Sequence, residues 1–216
     1  MTTGELHRLR HGVYRVLGAG FAPPAADFLA VAPEAVNVLD ELGLFDYAYA
    51  PHIADVLHEF ADADPDELHR AYATLFETGG DGDVCMVRES AFRGDPRTGE
   101  SARVLADAVA AQRNLGVEPP RENVDHASTE LASMASACRR LADVVDDRTL
   151  TIARLRAQDD FLRTHLLRWL PALGRQLDER SPHPAFAKLG AATVAVLTHE
   201  RQHLPLLLQE LEEPVR

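Results

Sequence analysis

With 216 residues, the chain holds about one to one and a half typical domains, and about 70% of its unfolded surface can be buried without help from disulfides or metals. Hydrophobic residues at 46% and charged residues at 26% exclude a disordered chain. Thirty-four acidic against 22 basic residues give a formal charge of -12, which repels phosphate backbones and argues against a nucleic-acid partner.

Helical periodicity runs through almost the whole chain, and no stretch alternates like a half-buried strand. Leu6, Leu9, Val13, Val16 and Leu17 mark one face of a first helix, with Gly18 and Gly20 loosening its end. Pro33 and Gly43 bracket a short helix over Glu34–Leu42, and Pro51 opens another that turns Ile53, Val56, Leu57 and Phe60 inward. Asp64-Pro65-Asp66-Glu67 is a strong helix start: an Asp cap, Pro in the first turn, then acids at the positive end of the dipole. That helix carries Leu68, Tyr72, Leu75 and Phe76 on one face and stops at Gly79-Gly80. Residues 79–99 lack periodicity, and an aperiodic stretch this long is usually functional or mobile.

The helical pattern resumes at Ser101–Asn114 and ends at Gly116, where Gly suits a left-handed cap. The connector Val117–Val124 contains Pro119-Pro120, and Asp125 is then expected to cap a helix carrying Leu131, Met134, Cys138 and Leu141. After the acidic turn Asp143–Asp147 a long helix runs to Leu170, where Pro171 interrupts or kinks it. Ser181-Pro182-His183-Pro184 separates the last helix. The expected fold is all-α, a bundle of about eight to ten helices. It forms one domain over residues 1–216, with lobes 1–116 and 125–216 joined by a hinge near residues 116–124.

Cys85 and Cys138 are far apart and form no CxxC or CxxH pair, which predicts a reduced, cytoplasmic chain. The first residues lack the apolar core of a signal peptide, and no apolar run approaches about 18 residues, so no membrane span is expected.

His199-Glu200-Arg201-Gln202-His203 fits H-E-x-x-H, in which two His one turn apart bind zinc and the Glu activates water. A catalytic zinc needs a third protein ligand, and the nearest downstream acid, Glu210, lies about 10 Å farther along the axis if helical. Pro205 is expected to disturb that helix, so the favoured reading is an exposed polar face, with a zinc-dependent hydrolase through His199, Glu200 and His203 as the alternative. No G-x-S-x-G elbow, P-loop or G-x-G-x-x-G is present.

Three other segments combine residues unusually. They are Tyr72-Ala-Thr-Leu75-Phe76, then Glu89-Ser90-Ala91-Phe92, then Asp125-His126-Ala-Ser-Thr-Glu130-Leu131. Read locally, Tyr72, Leu75 and Phe76 are core, Glu89 and Ser90 cap a turn, and Asp125 caps a helix. Together and in this order they resemble the TorD/DmsD/NarJ family of redox-enzyme maturation chaperones. Its pattern is Y-x-x-L-F, then E-S-x-aromatic, then D-H-x-x-x-E-L. The resemblance continues through Phe161-Leu-Arg-Thr-His165-Leu-Leu-Arg-Trp169-Leu-Pro171 and the N-terminal Tyr14 and Phe21-Ala-Pro23-Pro24. The chain departs from many relatives at Val84–Val87, at Leu68 and at Val124, differences that bear on the branch and not on the family.

The resemblance implies a non-enzymatic cytoplasmic chaperone with no cofactor or metal of its own. Its partner would be the catalytic subunit of a molybdenum-cofactor oxidoreductase or that subunit's twin-arginine signal peptide, held until the cofactor is inserted. By the same resemblance, Asp125 and His126 lie at the client-binding interdomain loop, and Tyr72, Leu75 and Phe76 form the other half of that surface. Glu89, Ser90, Phe92 and Glu130 complete the expected peptide-binding set. A basic, apolar leader suits an acidic protein with an aromatic groove, its arginines pairing with carboxylates such as Glu89 and Asp125. A monomer and a homodimer swapped about the hinge are both open.

Overall fold

Thr2 opens the first helix with a reciprocal cap, its hydroxyl accepting from the Glu5 N–H while the Glu5 carboxylate accepts from the Thr2 N–H. In the computed structural model, which describes residues 2–79 and 84–213, helix α1 then runs over Thr3–Gly20. Gly18 and Gly20 do not loosen its end. A Cβ on Gly18 would lie 3.2 Å from the Ser128 carbonyl oxygen, so the glycine permits close approach to the helix packed alongside.

Helix α2 (Ala26–Glu41) is longer than Pro33 and Gly43 suggested, and Pro33 sits inside it. Pro33 withdraws one N–H from the ladder, but side-chain packing holds both halves together: Phe28 meets Phe60 edge to face at 5.5 Å, and Leu39 is buried. Helix α3 (Ala50–Asp62) opens around Pro51, and α4 (Pro65–Ala73) starts on Asp64, which accepts from the Asp66 and Glu67 N–H groups at 2.9 and 3.0 Å. A π turn over Thr74–Thr78 extends α4 to Gly79; the expected second stop residue, Gly80, lies outside the described residues.

The aperiodic segment contains a short helix, α5 (Glu89–Arg93), followed by α6 (Glu100–Asn114). Gly116 ends α6 at φ 78°, a left-handed conformation that costs Gly little. Helix α7 (Ala127–Ala142) follows the connector. Helix α8 (Arg148–Phe161), a π turn (Leu162–Leu166) and α9 (Leu167–Arg180) form one continuous rod that passes through Pro171 without ending there. Helix α10 (Pro184–Glu212) likewise continues through Pro205. The fold is an all-α bundle with no strand among the described residues.

Helix α1 lies along α7, α10 packs on α9 and α3, and α2 covers α3. One hydrophobic core joins residues on both sides of the 116–124 connector, from Leu9 and Tyr14 to Trp169 and Leu204. That connector is tied down on both flanks: Gln112 Nε2 donates to the Val124 carbonyl at 2.7 Å while its Oε1 accepts from Ser133 at 2.9 Å. No helix of the described residues is long and apolar enough to cross a membrane.

Candidate functional site

The E-S and D-H segments meet directly. Arg88 and His126 pair as an isolated antiparallel bridge, with the Glu89 N–H donating to the Asp125 carbonyl and the Ala127 N–H to the Val87 carbonyl, both at 2.9 Å. This bridge corrects the expected cap. Val124 and Asp125 form a turn closed by the His126 N–H on the Asn123 carbonyl at 3.0 Å. The chain is extended at His126, so the N-cap of α7 is His126, whose Nδ1 accepts from the Ser128 N–H at 3.2 Å. Asp125 is fully buried and serves the other segment, its Oδ2 accepting from the Ser90 N–H at 3.0 Å and its Oδ1 facing Arg88 at 3.4 Å. Arg88 also bonds to the side chain of Asn123, which holds a positive φ of 57°. Burial, with Arg88 close by, pushes the His126 pKa below its ordinary value.

Behind this corner lies a buried polar cluster. Glu89 sits between Arg93, on the next turn of α5, and His165 of the π turn, whose Nδ1 is 2.8 Å from Glu89 Oε2. Glu130 accepts from the Trp169 indole N–H at 3.1 Å, and Phe92 leans on Trp169 with ring centroids 6.0 Å apart. Burial and the neighbouring Glu89 hold the Glu130 pKa well above the carboxylate range. His165, Trp169, Arg88 and Arg93 are absent from the expected site set, although the i, i+4 spacing of His165 and Trp169 places both on one helix face.

Tyr72, Leu75 and Phe76 lie elsewhere. They are 6%, 4% and 8% exposed, and Tyr72 stacks edge-on to Phe76 at 4.9 Å, which in turn meets Phe186 of α10 at 5.7 Å. In this conformation they are core. Their link to the corner is backbone, the Cys85 N–H donating to the Leu75 carbonyl at 2.8 Å. Among the expected residues, Ser90 is partly exposed at the open face of the corner. It lines, with Val124 and Asp125, a cleft of about 710 Å³ that Leu105 and Val109 of α6 and the connector residues Glu118 and Glu122 complete.

The H-E-x-x-H segment is not an exposed polar face. Glu200 is buried and takes the Arg10 guanidinium on both oxygens, at 3.0 Å from Nε and 2.7 Å from Nη2, and accepts from Tyr14 at 3.1 Å. Burial alone would raise its pKa, but the attraction and hydrogen bonds of Arg10 win and hold it below the ordinary value. His199 packs on Tyr47 and Tyr49, and burial lowers its pKa. A carboxylate committed to Arg10 and Tyr14 is not free to activate a water, so the segment is a structural ion pair.

The class of protein is given by sequence comparison, with which the all-helical bundle is consistent. The profile of the family described as nitrate reductase delta subunit matches residues 45–174, more than half of the chain, and the chain belongs to that NarJ/TorD-type chaperone family. Among its relatives, a selenate reductase assembly chaperone from Thauera selenatis is 31% identical over 87% of this chain and 89% of its own. The chaperone protein TorD of Vibrio cholerae is 24% identical over 74% of this chain and 73% of its own. Membership in a chaperone family, and not in an enzyme family, is what these matches establish.

Proposed function

We propose that the chain is a system-specific chaperone for the catalytic subunit of a molybdenum-cofactor oxidoreductase, acting in the cytoplasm before export. The client segment we assign to it is an N-terminal leader of twin-arginine type, held in the cleft between α5, α6 and the 116–124 connector. The observation that carries this reading is the pairing in one cleft of an apolar wall, Leu105 and Val109, with the rim carboxylate Glu122. The second rim carboxylate, Glu118, is held by Arg113 at 3.0 Å, and Arg88 and Arg121 line the same cleft, so a client arginine enters by exchange at Glu118 and directly at Glu122. A helix in a groove takes its affinity from such a wall, and its register from charge pairs at the edge.

Asp125 enters through exchange. Its contact with Arg88 is long, 3.4 Å, and the Arg88 side chain is 46% exposed, so a client arginine reaches the buried Asp125 carboxylate by displacing Arg88 from it and from Asn123. Ser90, on the same helix end, then adjoins the exchanged pair. Tyr72, Leu75 and Phe76 contribute by fixing the segment that begins at Cys85, whose N–H donates to the Leu75 carbonyl.

The test is calorimetry of a synthetic leader peptide against the full chain. Losing a charge-assisted contact removes about 1.5–3 kcal/mol, so Asp125→Asn is expected to weaken binding by roughly 10- to 100-fold. Leu105→Asp is expected to abolish it. Equal affinity of both variants and wild type would sink the assignment of the cleft, and a leader that binds none of the three proteins would sink the leader as client.

A further inference from the structure

Glu89 of α5, Glu130 of α7 and His165 of the π turn converge from three elements distant in sequence and are 0%, 0% and 4% exposed. One oxygen of each carboxyl group and one ring nitrogen of His165 lie within 4.8 Å of one another. The surroundings engage both oxygens of Glu89, one by Arg93 and one by His165 itself, and leave only Glu130 short of a donor. Trp169 fixes Glu130 Oε2, Arg93 holds Glu89 Oε1, and His165 stacks on Phe161 with ring centroids 5.2 Å apart. Glu130 Oε1 is buried and receives no hydrogen bond among the described residues; its carboxyl can bond to that of Glu89 only through a proton held between them. Buried carboxyl oxygens are nearly always satisfied, so this one calls for a positive partner beside a second carboxylate and an imidazole: a proton shared with Glu89 at low pH, or a cation in its place.

We propose that Glu89, Glu130 and His165 form a binding site for one divalent transition-metal ion of the zinc type. Two carboxylate oxygens and an imidazole nitrogen suit zinc, and also cobalt as its spectroscopic substitute. Ligand atoms on a tetrahedral ion with bonds of about 2.0–2.1 Å sit about 3.3 Å apart, so closure needs a contraction of at most about 1.5 Å from the present spacing. The Trp169 indole behind Glu130 is the outer partner that metal-binding carboxylates usually have. Arg93 does not block the ion: its side chain is 27% exposed and reaches Glu89 through the oxygen facing away from His165. A bound ion would clamp α5 to α7 and to the α8–α9 rod, fixing the segment that presents Ser90 and receives Asp125. The site is independent of the leader assignment, since it needs no client.

The full-length protein, stripped with chelator, is titrated with Zn²⁺ and with Co²⁺ by calorimetry and visible absorption, and its Tm is followed against metal concentration. One ion per chain, tetrahedral cobalt bands and a rising Tm are expected. Glu130→Gln, which keeps the shape of the side chain, and His165→Gln should each weaken binding at least tenfold. Trp169→Phe should weaken it about tenfold through the lost outer contact, and it decides the matter if the first two misfold. A His199→Gln/His203→Gln double variant should bind like wild type. Absence of saturable binding at millimolar zinc overturns the proposal and leaves a proton as the partner of Glu130. Binding that survives Glu130→Gln, or that disappears in the double variant, overturns it as well.

Discussion

Two buried glutamates of this molecule have opposite surroundings. Glu200 is 3% exposed and faces Arg10, whose guanidinium takes both of its oxygens. Glu130 is fully buried and faces Glu89, with a single indole donor on one oxygen and, among the described residues, no donor on the other. The same burial therefore drives two outcomes. The pKa of Glu200 falls despite desolvation because an opposite charge sits in contact, while that of Glu130 rises because desolvation and a like charge act together. The first carboxylate is a fixed structural strut between the chain's first and last helices. The second is held at the junction of α5, α7 and α9 in a state that another partner can change.

The harshest way to break the comparison is to remove Glu200. Glu200→Ala leaves the Arg10 guanidinium, 2% exposed, without its counter-charge, which typically costs about 3–5 kcal/mol. Urea denaturation should register that loss as a lower midpoint; a change under about 1 kcal/mol would mean that Arg10 finds solvent, and that the pair is not a strut. Glu200→Gln, which keeps the Tyr14 contact, should fall between the variant and wild type.

The pH dependence separates the two carboxyls by sign. A pKa raised on folding means the folded state keeps its proton while the unfolded one releases it, so the Glu130 contribution is complete below about 4.5 and is lost as pH rises through the folded pKa. Glu200, lowered on folding, contributes above about 4.5 and loses that contribution as pH falls through its folded pKa. With chelator present, wild-type stability should therefore decline with rising pH above 4.5 by up to about 1.4 kcal/mol per unit from Glu130 alone. Glu130→Gln should flatten that decline and leave the acid limb in place. Identical pH profiles for the two proteins would show that Glu130 is ionised in the fold.

Neither glutamate's role was legible in the sequence, although most helices were. Helix ends are written in a few neighbouring residues: Asp64 before Pro65, Gly116 after Asn114 and the Ser181–Pro184 break all act where expected. Pro33 misled as a helix boundary, and the helices also run on past Pro171 and Pro205, because tertiary packing overrides a single missing N–H. The Arg10–Glu200 pair spans 190 residues and His165–Glu89 spans 76, and such contacts leave no local pattern. Glu200 accordingly read as surface, when the partner that buries it lies on the first helix. Family resemblance singled out Glu89, Asp125, His126 and Glu130, yet it did not reveal that Asp125 accepts from the helix across the bridge and not from its own.

The finest probe acts on the indole behind Glu130. Trp169 donates the one hydrogen bond that favours ionised Glu130, opposing both burial and Glu89. Trp169→Phe keeps an aromatic ring against Phe92 but removes that donor, at a cost of about 1 kcal/mol for the lost bond and additional loss for the smaller ring. The more discriminating readout is again pH. Without the indole, Glu130 should hold its proton to still higher pH, so the decline in stability should extend upward in pH relative to wild type. If Glu130 is poised by the balance of one donor against one carboxylate, that window moves. If its proton is fixed by burial alone, Trp169→Phe lowers stability equally at every pH, and the window stays where it was.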